Sequence, residues 1–222
     1  MTPSAPSKPP AGLPKAELPP TPPREQVERL VAASARAHGH LCPGQVIGVR
    51  MSILGLGLLG YPCPLPYPEI KSLLGVVEIE RCLSDAVAVA TGLRFGRGSL
   101  KLINLGLLAS TFWDLGSRRG VRLLSREEAR ALAPVYASDM EGEHAQQTEA
   151  YKVMPNSELF QAQWVALSLP PHELPGQRPP KVPCERCGVP VRSGQVRRQG
   201  DQSLCAVCAG GAYFQPLQPL EL

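Results

Sequence analysis

Four cysteines near the C-terminus are spaced for metal. Cys184-Glu-Arg-Cys187 is followed, after seventeen residues, by Cys205-Ala-Val-Cys208. A Cys-x-x-Cys pair closes a turn that can aim two sulfurs at one ion, and two such pairs at this separation suit a tetrahedral Zn²⁺ held by four thiolates. Gly188, directly after the first pair, eases its turn. Cys184, Cys187, Cys205 and Cys208 are therefore expected to ligate a structural zinc.

Three cysteines remain: Cys42, Cys63 and Cys82. In His38-Gly-His40-Leu-Cys42 the two imidazoles and the thiol sit at alternate positions, so in an extended segment all three point to one side. Pro43 favours that extended geometry at Cys42 and also suits the first position of a following helix. Cys42 then falls at a helix N-terminus, where the positive end of the helix dipole is expected to lower its pKa. The segment suits either metal ligation or an activated nucleophile. Cys82 opens another predicted helix, with Asp85 three residues on and hence on the same face. Plainer roles exist for each. A cysteine often packs as a small hydrophobe, Asp85 can simply stabilise a helix N-terminus, and Cys63, between two prolines, has no evident chemistry.

The elements that must position these residues follow from periodicity. Val27, Leu30, Val31 and Ser34 mark one face of a helix over residues 24–37. A second helix runs from Pro43 to about Gly60, with Gly44, Gly48, Ser52 and Gly55 on one stripe. Each glycine costs a helix roughly 1 kcal/mol relative to alanine, so the stripe implies another backbone packed very close. A Pro-rich loop spans 62–68, and a buried strand spans 73–79. Residues 82–91 read as a helix capped by Gly92. Strands are expected over 100–105, 107–115, 121–124 and 159–169, with residues 117–120 as a hairpin turn. Ser125-Arg-Glu-Glu128 reads as a capping box, opening a helix that Pro134 interrupts and that resumes toward Tyr151. The expectation is an α+β domain with a largely antiparallel sheet packed with helices, followed by a small zinc-finger domain.

Composition agrees with this division. The 222-residue chain is 43% hydrophobic, enough for one core of ordinary size plus an appendage. Residues 1–23 are Pro-rich and read as a disordered tail. Residues 24–169 form the core, 170–183 carry six prolines and read as a linker, and 184–222 hold the finger. A net charge of +4 and only 5% aromatic residues argue against a nucleic-acid partner. Arg186, Arg192, Arg197 and Arg198 give the finger a mildly basic surface, which reads as a solvated face. No apolar stretch is long enough to span a membrane, and thiols spaced for metal without an export signal point to the cytoplasm. Phosphate-binding glycine loops and a Gly-x-Ser-x-Gly elbow are absent from the sequence. Glu141, Glu143 and His144 form no protease pattern, and His172 is at most a spare ligand.

Two blocks, in order, resemble the FmdE family, which takes its name from formylmethanofuran dehydrogenase. They are His38-Gly-His40-Leu-Cys42-Pro-Gly-Gln-Val-Ile-Gly-Val-Arg50-Met, and Val77-Glu78-Ile79-Glu80-Arg81-Cys82-Leu-Ser-Asp85-Ala with Thr91-Gly92 and Gly96-Arg97-Gly98-Ser-Leu-Lys101. The match spans residues 25–124, and the four-cysteine tail resembles the treble-clef finger that some members carry. The resemblance implies an α+β core paired as a homodimer. It also implies a pocket where His38 or His40, Cys42 and Cys82 meet, with Asp85 nearby. Where the family often has cysteine after Thr-Gly, this chain has Leu93, so a site using that third thiol would be altered here.

Three functional classes follow. In the first, the core is a redox or metal-dependent accessory enzyme acting on a small molecule of unknown identity. Cys42, Cys82 and His40 would hold a second metal, zinc or iron, with an open position, or Cys42 would act as a thiolate. In the second, the protein is a non-catalytic zinc-finger binding or regulatory module. In the third, the finger is structural, which is compatible with an active core.

Overall fold

The computed structural model describes residues 18–215 and 217. The chain divides into two compact units, one ending at Leu169 and the other beginning at Pro170.

Two helices open the first unit: α1, Arg24–His38, and α2, Pro43–Leu58. Val27, Leu30, Val31 and Ser34 form the buried face of α1, as its periodicity predicts. Gly39 ends that helix with φ +98°, a left-handed conformation natural only to glycine. Every residue of α2 from Gln45 to Ser52 is buried, so this is a central helix and not an amphipathic one. It packs on α1, on α3 (Cys82–Thr91), on α5 (Glu143–Val153) and on strands β3 (Ala109–Asp114) and β4 (Arg119–Ser125).

The sheet adds β1 (Leu73–Val77), β2 (Leu100–Leu102) and β5 (Phe160–Val165) and has the order β2-β1-β3-β4-β5. Only the β1–β2 pairing is parallel; the other three are antiparallel. In register, Gly75 faces Phe112 and Phe112 faces Val121. Phe112 and Val121 belong to the main core, with Leu73, Val77 and Leu123. The architecture is α+β with a mostly antiparallel sheet, as expected.

Boundaries differ in instructive places. The strand expected over 100–105 stops at Leu102, because Leu105 and Leu107 both donate to the Glu78 carbonyl and turn the chain toward β3. The capping box at Ser125 does not form: Ser125 is the last residue of β4, paired with Phe160, and α4 (Glu128–Tyr136) starts with no side-chain cap. Pro134 lies inside α4, and the break comes only after Ala137. The last strand, expected over 159–169, runs only from Phe160 to Val165, because Leu159 closes a short α6 (Asn156–Leu159).

A buried guanidinium ties these elements together. Arg50 of α2 is fully buried and donates to the carbonyls of Tyr151 and Met154, at 2.6 and 2.7 Å, and to Asn156 Oδ1 at 2.9 Å. Those carbonyls belong to the end of α5, where backbone acceptors lack helical partners. Burial holds the Arg50 pKa down at about 10. Asn156 in turn donates to the carbonyls of Pro19 and Pro20, and Leu18 packs against the core. The segment read as a tail thus enters the described residues already docked; its first seventeen residues lie outside them.

The second unit contains two hairpins: β6 (Lys181–Pro183) with β7 (Pro190–Arg192), and β8 (Arg197–Gln199) with β9 (Gln202–Leu204). A helical turn, Val207–Gly211, follows. No described helix is long and apolar enough to cross a membrane.

Candidate metal centres

The glycine stripe of α2 has the partner it demanded. A Cβ built on Gly44 would lie 3.4 Å from the Cys82 Cβ; one on Gly48 would lie 2.7 Å from the Ala86 Cβ and 2.8 Å from the Leu83 carbonyl. As α2 advances from 44 to 48, its neighbours on α3 advance from 82 to 86, so the two helices run parallel. One on Gly55 would overlap the Phe112 ring, at 2.2 Å. Close parallel packing brings two helix N-termini side by side, and each begins with a cysteine. Cys42 is the extended N-cap of α2, and Cys82 is the first residue of α3.

Onto this point the end of α1 delivers the imidazoles. His38 is its last residue, and Gly39 turns the chain back toward Cys42. The ligand atoms of His38, His40, Cys42 and Cys82 all lie within 4.8 Å of one another. The two imidazole rings are tilted, with centroids 4.6 Å apart. Asp85, one turn into α3, places Oδ2 2.8 Å from His38 Nδ1.

Electrostatics at Cys42 run opposite to the sequence expectation. Burial pushes the thiol up and outweighs the lowering by the Gln45 and Gly44 backbone N–H groups; the Cys82 thiol adds to the rise. The helix terminus is present, but desolvation of a buried sulfur wins. A free Cys42 is therefore a protonated thiol at neutral pH. A bound cation would reverse this, since coordination deprotonates a thiol outright.

The other cysteine and the family-variant position lie elsewhere. Cys63 is buried in the main core, with Sγ 3.4 Å from the Ala90 carbonyl, and burial raises its pKa to about 12. Leu93 is fully buried in the same core and is absent from the His/Cys group. His172 packs against Gly194 in the second unit and is absent from the four-cysteine group there.

In that unit, Cys184, Cys187, Cys205 and Cys208 converge as the spacing predicts, with ligand atoms within 4.8 Å of one another. Gly188 closes the first turn with φ +74° and donates to the Cys184 carbonyl. Backbone N–H groups of Cys205, Cys187 and Arg186 aim at Cys184 and hold its thiol down at about 6. The Cys208 N–H donates to Cys205 Sγ. Two arginines of this unit are engaged locally: Arg186 donates to the Cys208 carbonyl and Arg192 to that of Pro179.

Three features had no signal in the sequence. The Asp85–His38 contact joins residues 47 positions apart. Arg50 is an internal clamp. Gln45, on the first turn of α2, is fully buried with neither amide atom hydrogen-bonded among the described residues. Each depends on what the fold places beside the residue, and no local pattern records that.

Comparison with known proteins agrees with the two His/Cys blocks. Over 86% of its length the chain is 28% identical to a protein of Archaeoglobus fulgidus named as a probable S-adenosyl-L-methionine-binding protein. It spans only 55% of that relative. A crystal structure of a tungsten formylmethanofuran dehydrogenase FmdE-like protein from Syntrophus aciditrophicus superposes with a TM-score of 0.58 at 23% identity. That match covers 85% of this chain and 95% of the other, and establishes a shared fold. The family model described as FmdE, molybdenum formylmethanofuran dehydrogenase operon, matches residues 37–174, which hold both His/Cys blocks and the whole five-stranded sheet. The chain belongs to the FmdE family.

Proposed function

We propose that the core unit is a metal-dependent or redox accessory enzyme related to formylmethanofuran dehydrogenase, built on one zinc or iron ion. Cys42, Cys82 and His40 hold that ion, and a small molecule reacts at it. The observation that carries this reading is the convergence of soft and borderline donors from separate segments within 4.8 Å. Thiolate and imidazole together select zinc or iron over magnesium or calcium. The ion would supply Lewis-acid or one-electron chemistry. The chain's own contribution is to hold two sulfurs at adjacent helix N-termini and keep Cys42 buried.

The finger takes a second zinc, on Cys184, Cys187, Cys205 and Cys208, in a structural treble-clef role. Hairpins followed by a helical turn support that role, as does the use of Arg186 and Arg192 on local carbonyls. The core pairs as a homodimer in the cytoplasm. Leu102, Ile103, Leu105 and Leu107, each at least 39% exposed along the β2–β3 connection, offer an apolar contact surface.

Metal analysis of the purified full-length protein tests the central claim. Two ions per chain are expected, falling to one in Cys42→Ser and Cys82→Ser with the finger ion retained. A wild-type protein that never exceeds one ion, located in the finger, refutes the core centre and leaves the non-catalytic binding module as the reading. S-adenosylmethionine, named for the Archaeoglobus relative, is titrated into the same preparation by calorimetry. Binding that needs the core metal would identify the small molecule's class.

A further inference from the structure

We infer that His38 is a fourth donor to the core ion, through Nε2, and that Asp85 is the positioning residue that aims it. This rests on the core metal centre proposed above and deepens it. A neutral imidazole carries one N–H, and which nitrogen bears it is decided by the partner at hand. The Asp85 carboxylate sits 2.8 Å from Nδ1 and is acceptor-only when ionised. The proton is therefore held on Nδ1, and Nε2 presents a lone pair. Histidine ligands habitually spend their second nitrogen on a carboxylate in this way, which fixes both tautomer and ring orientation.

Placement supports the assignment. The His38 side chain is only 17% exposed, whereas that of Asp85 is 59% exposed. The carboxylate thus reaches in from the rim while the imidazole lies inside. Asp85 also shares α3 with Cys82, one turn away, so a single helix supplies both a donor sulfur and the group that orients a donor ring. Packing of α1 on α3 holds the pair in register. The competing role for the contact is an ordinary tie between α1 and α3, which at this exposure adds little to stability. Two thiolates and two imidazoles make a complete tetrahedral set. His38 then occupies the remaining position in the resting protein, and an incoming small molecule must displace an imidazole or expand the coordination.

The test compares full-length wild type, Asp85→Asn, Asp85→Glu and His38→Ala after loading with Co²⁺. Apparent core affinity is read by chelator competition and ligand geometry by visible absorption. Asp85→Asn is expected to weaken the core ion about 10- to 100-fold without changing the cobalt spectrum at saturation, and Asp85→Glu to recover part of the loss. His38→Ala should weaken it at least as much and shift the ligand-field bands, while the thiolate charge-transfer band persists. Circular dichroism melts check folding, and the exposed position of Asp85 keeps that arm interpretable if His38→Ala is unstable. Affinities within twofold of wild type in both Asp85→Asn and His38→Ala, with two ions still bound, overturn the role of His38 while the core centre stands. A wild type lacking the core ion overturns both.

Discussion

Replacing Gly48 by alanine probes the packing that assembles the site. The new methyl would sit 2.7 Å from the Ala86 Cβ and 2.8 Å from the Leu83 carbonyl oxygen. Carbon atoms prefer about 3.5–4.0 Å, so α2 and α3 must part by about 1 Å. Overpacking of this kind costs typically 1–3 kcal/mol. One obstacle here is backbone, which cannot rotate aside, placing the cost in the upper part of that range. The better helix propensity of alanine returns roughly 1 kcal/mol. The expected net loss is about 1–2 kcal/mol in urea unfolding followed by circular dichroism. Because Cys42 rides on α2 and Cys82 on α3, the same displacement should weaken binding of the proposed core ion by roughly tenfold or more in chelator competition. Gly57 is the internal control. It lies in the same helix, exposed, and a Cβ placed on it would meet nothing within 4 Å. Gly57→Ala should stabilise by about 0.4–1 kcal/mol and leave metal affinity alone. If Gly48→Ala stabilises as Gly57→Ala does, with metal affinity unchanged, the helices have slack and the close-packing argument is wrong.

Other expectations follow from buried groups. Arg50→Met should destabilise the core by about 2–4 kcal/mol in chemical denaturation, because the Tyr151 and Met154 carbonyls and Asn156 Oδ1 lose a charged donor while staying in place. A near-neutral result would mean that water reaches those acceptors. Cys63 should resist iodoacetamide at pH 8 in the folded protein, since burial raises its pKa from 9.0 to about 12. The sign follows from linkage. Below pH 9 the thiol is protonated in both states and contributes no pH dependence. Between 9 and 12 only the unfolded chain releases the proton, so stability should fall as pH rises through that window. Cys63→Ala should remove that part of the slope in urea midpoints measured across it, and an unchanged slope would count against the burial of the thiol.

Much was legible without coordinates because it is local. The spacing of Cys184, Cys187, Cys205 and Cys208 picks out a candidate ligand set through the turns it closes, and the four do converge. The stripe Gly44, Gly48, Ser52, Gly55 announces a close neighbour, since several glycines on one face cost helix propensity that close packing can offset. Thr91-Gly92 marks a helix end through one residue's tolerance of positive φ. What the stripe could not announce is which element fills it. That α3 meets Gly44 and Gly48, in parallel, while Phe112 of β3 meets Gly55, is a long-range choice that sets Cys82 beside Cys42. The same limit explains the failures. The capping box at Ser125 was outcompeted by pairing with Phe160, and the helix-terminus effect on Cys42 was outweighed by burial. Residue types and spacing determine which chemistry the chain has available and where its turns fall. Which groups share a site, what orients them and whether a thiol keeps its proton are decided by tertiary packing, because desolvation and contact depend on neighbours far away in the chain.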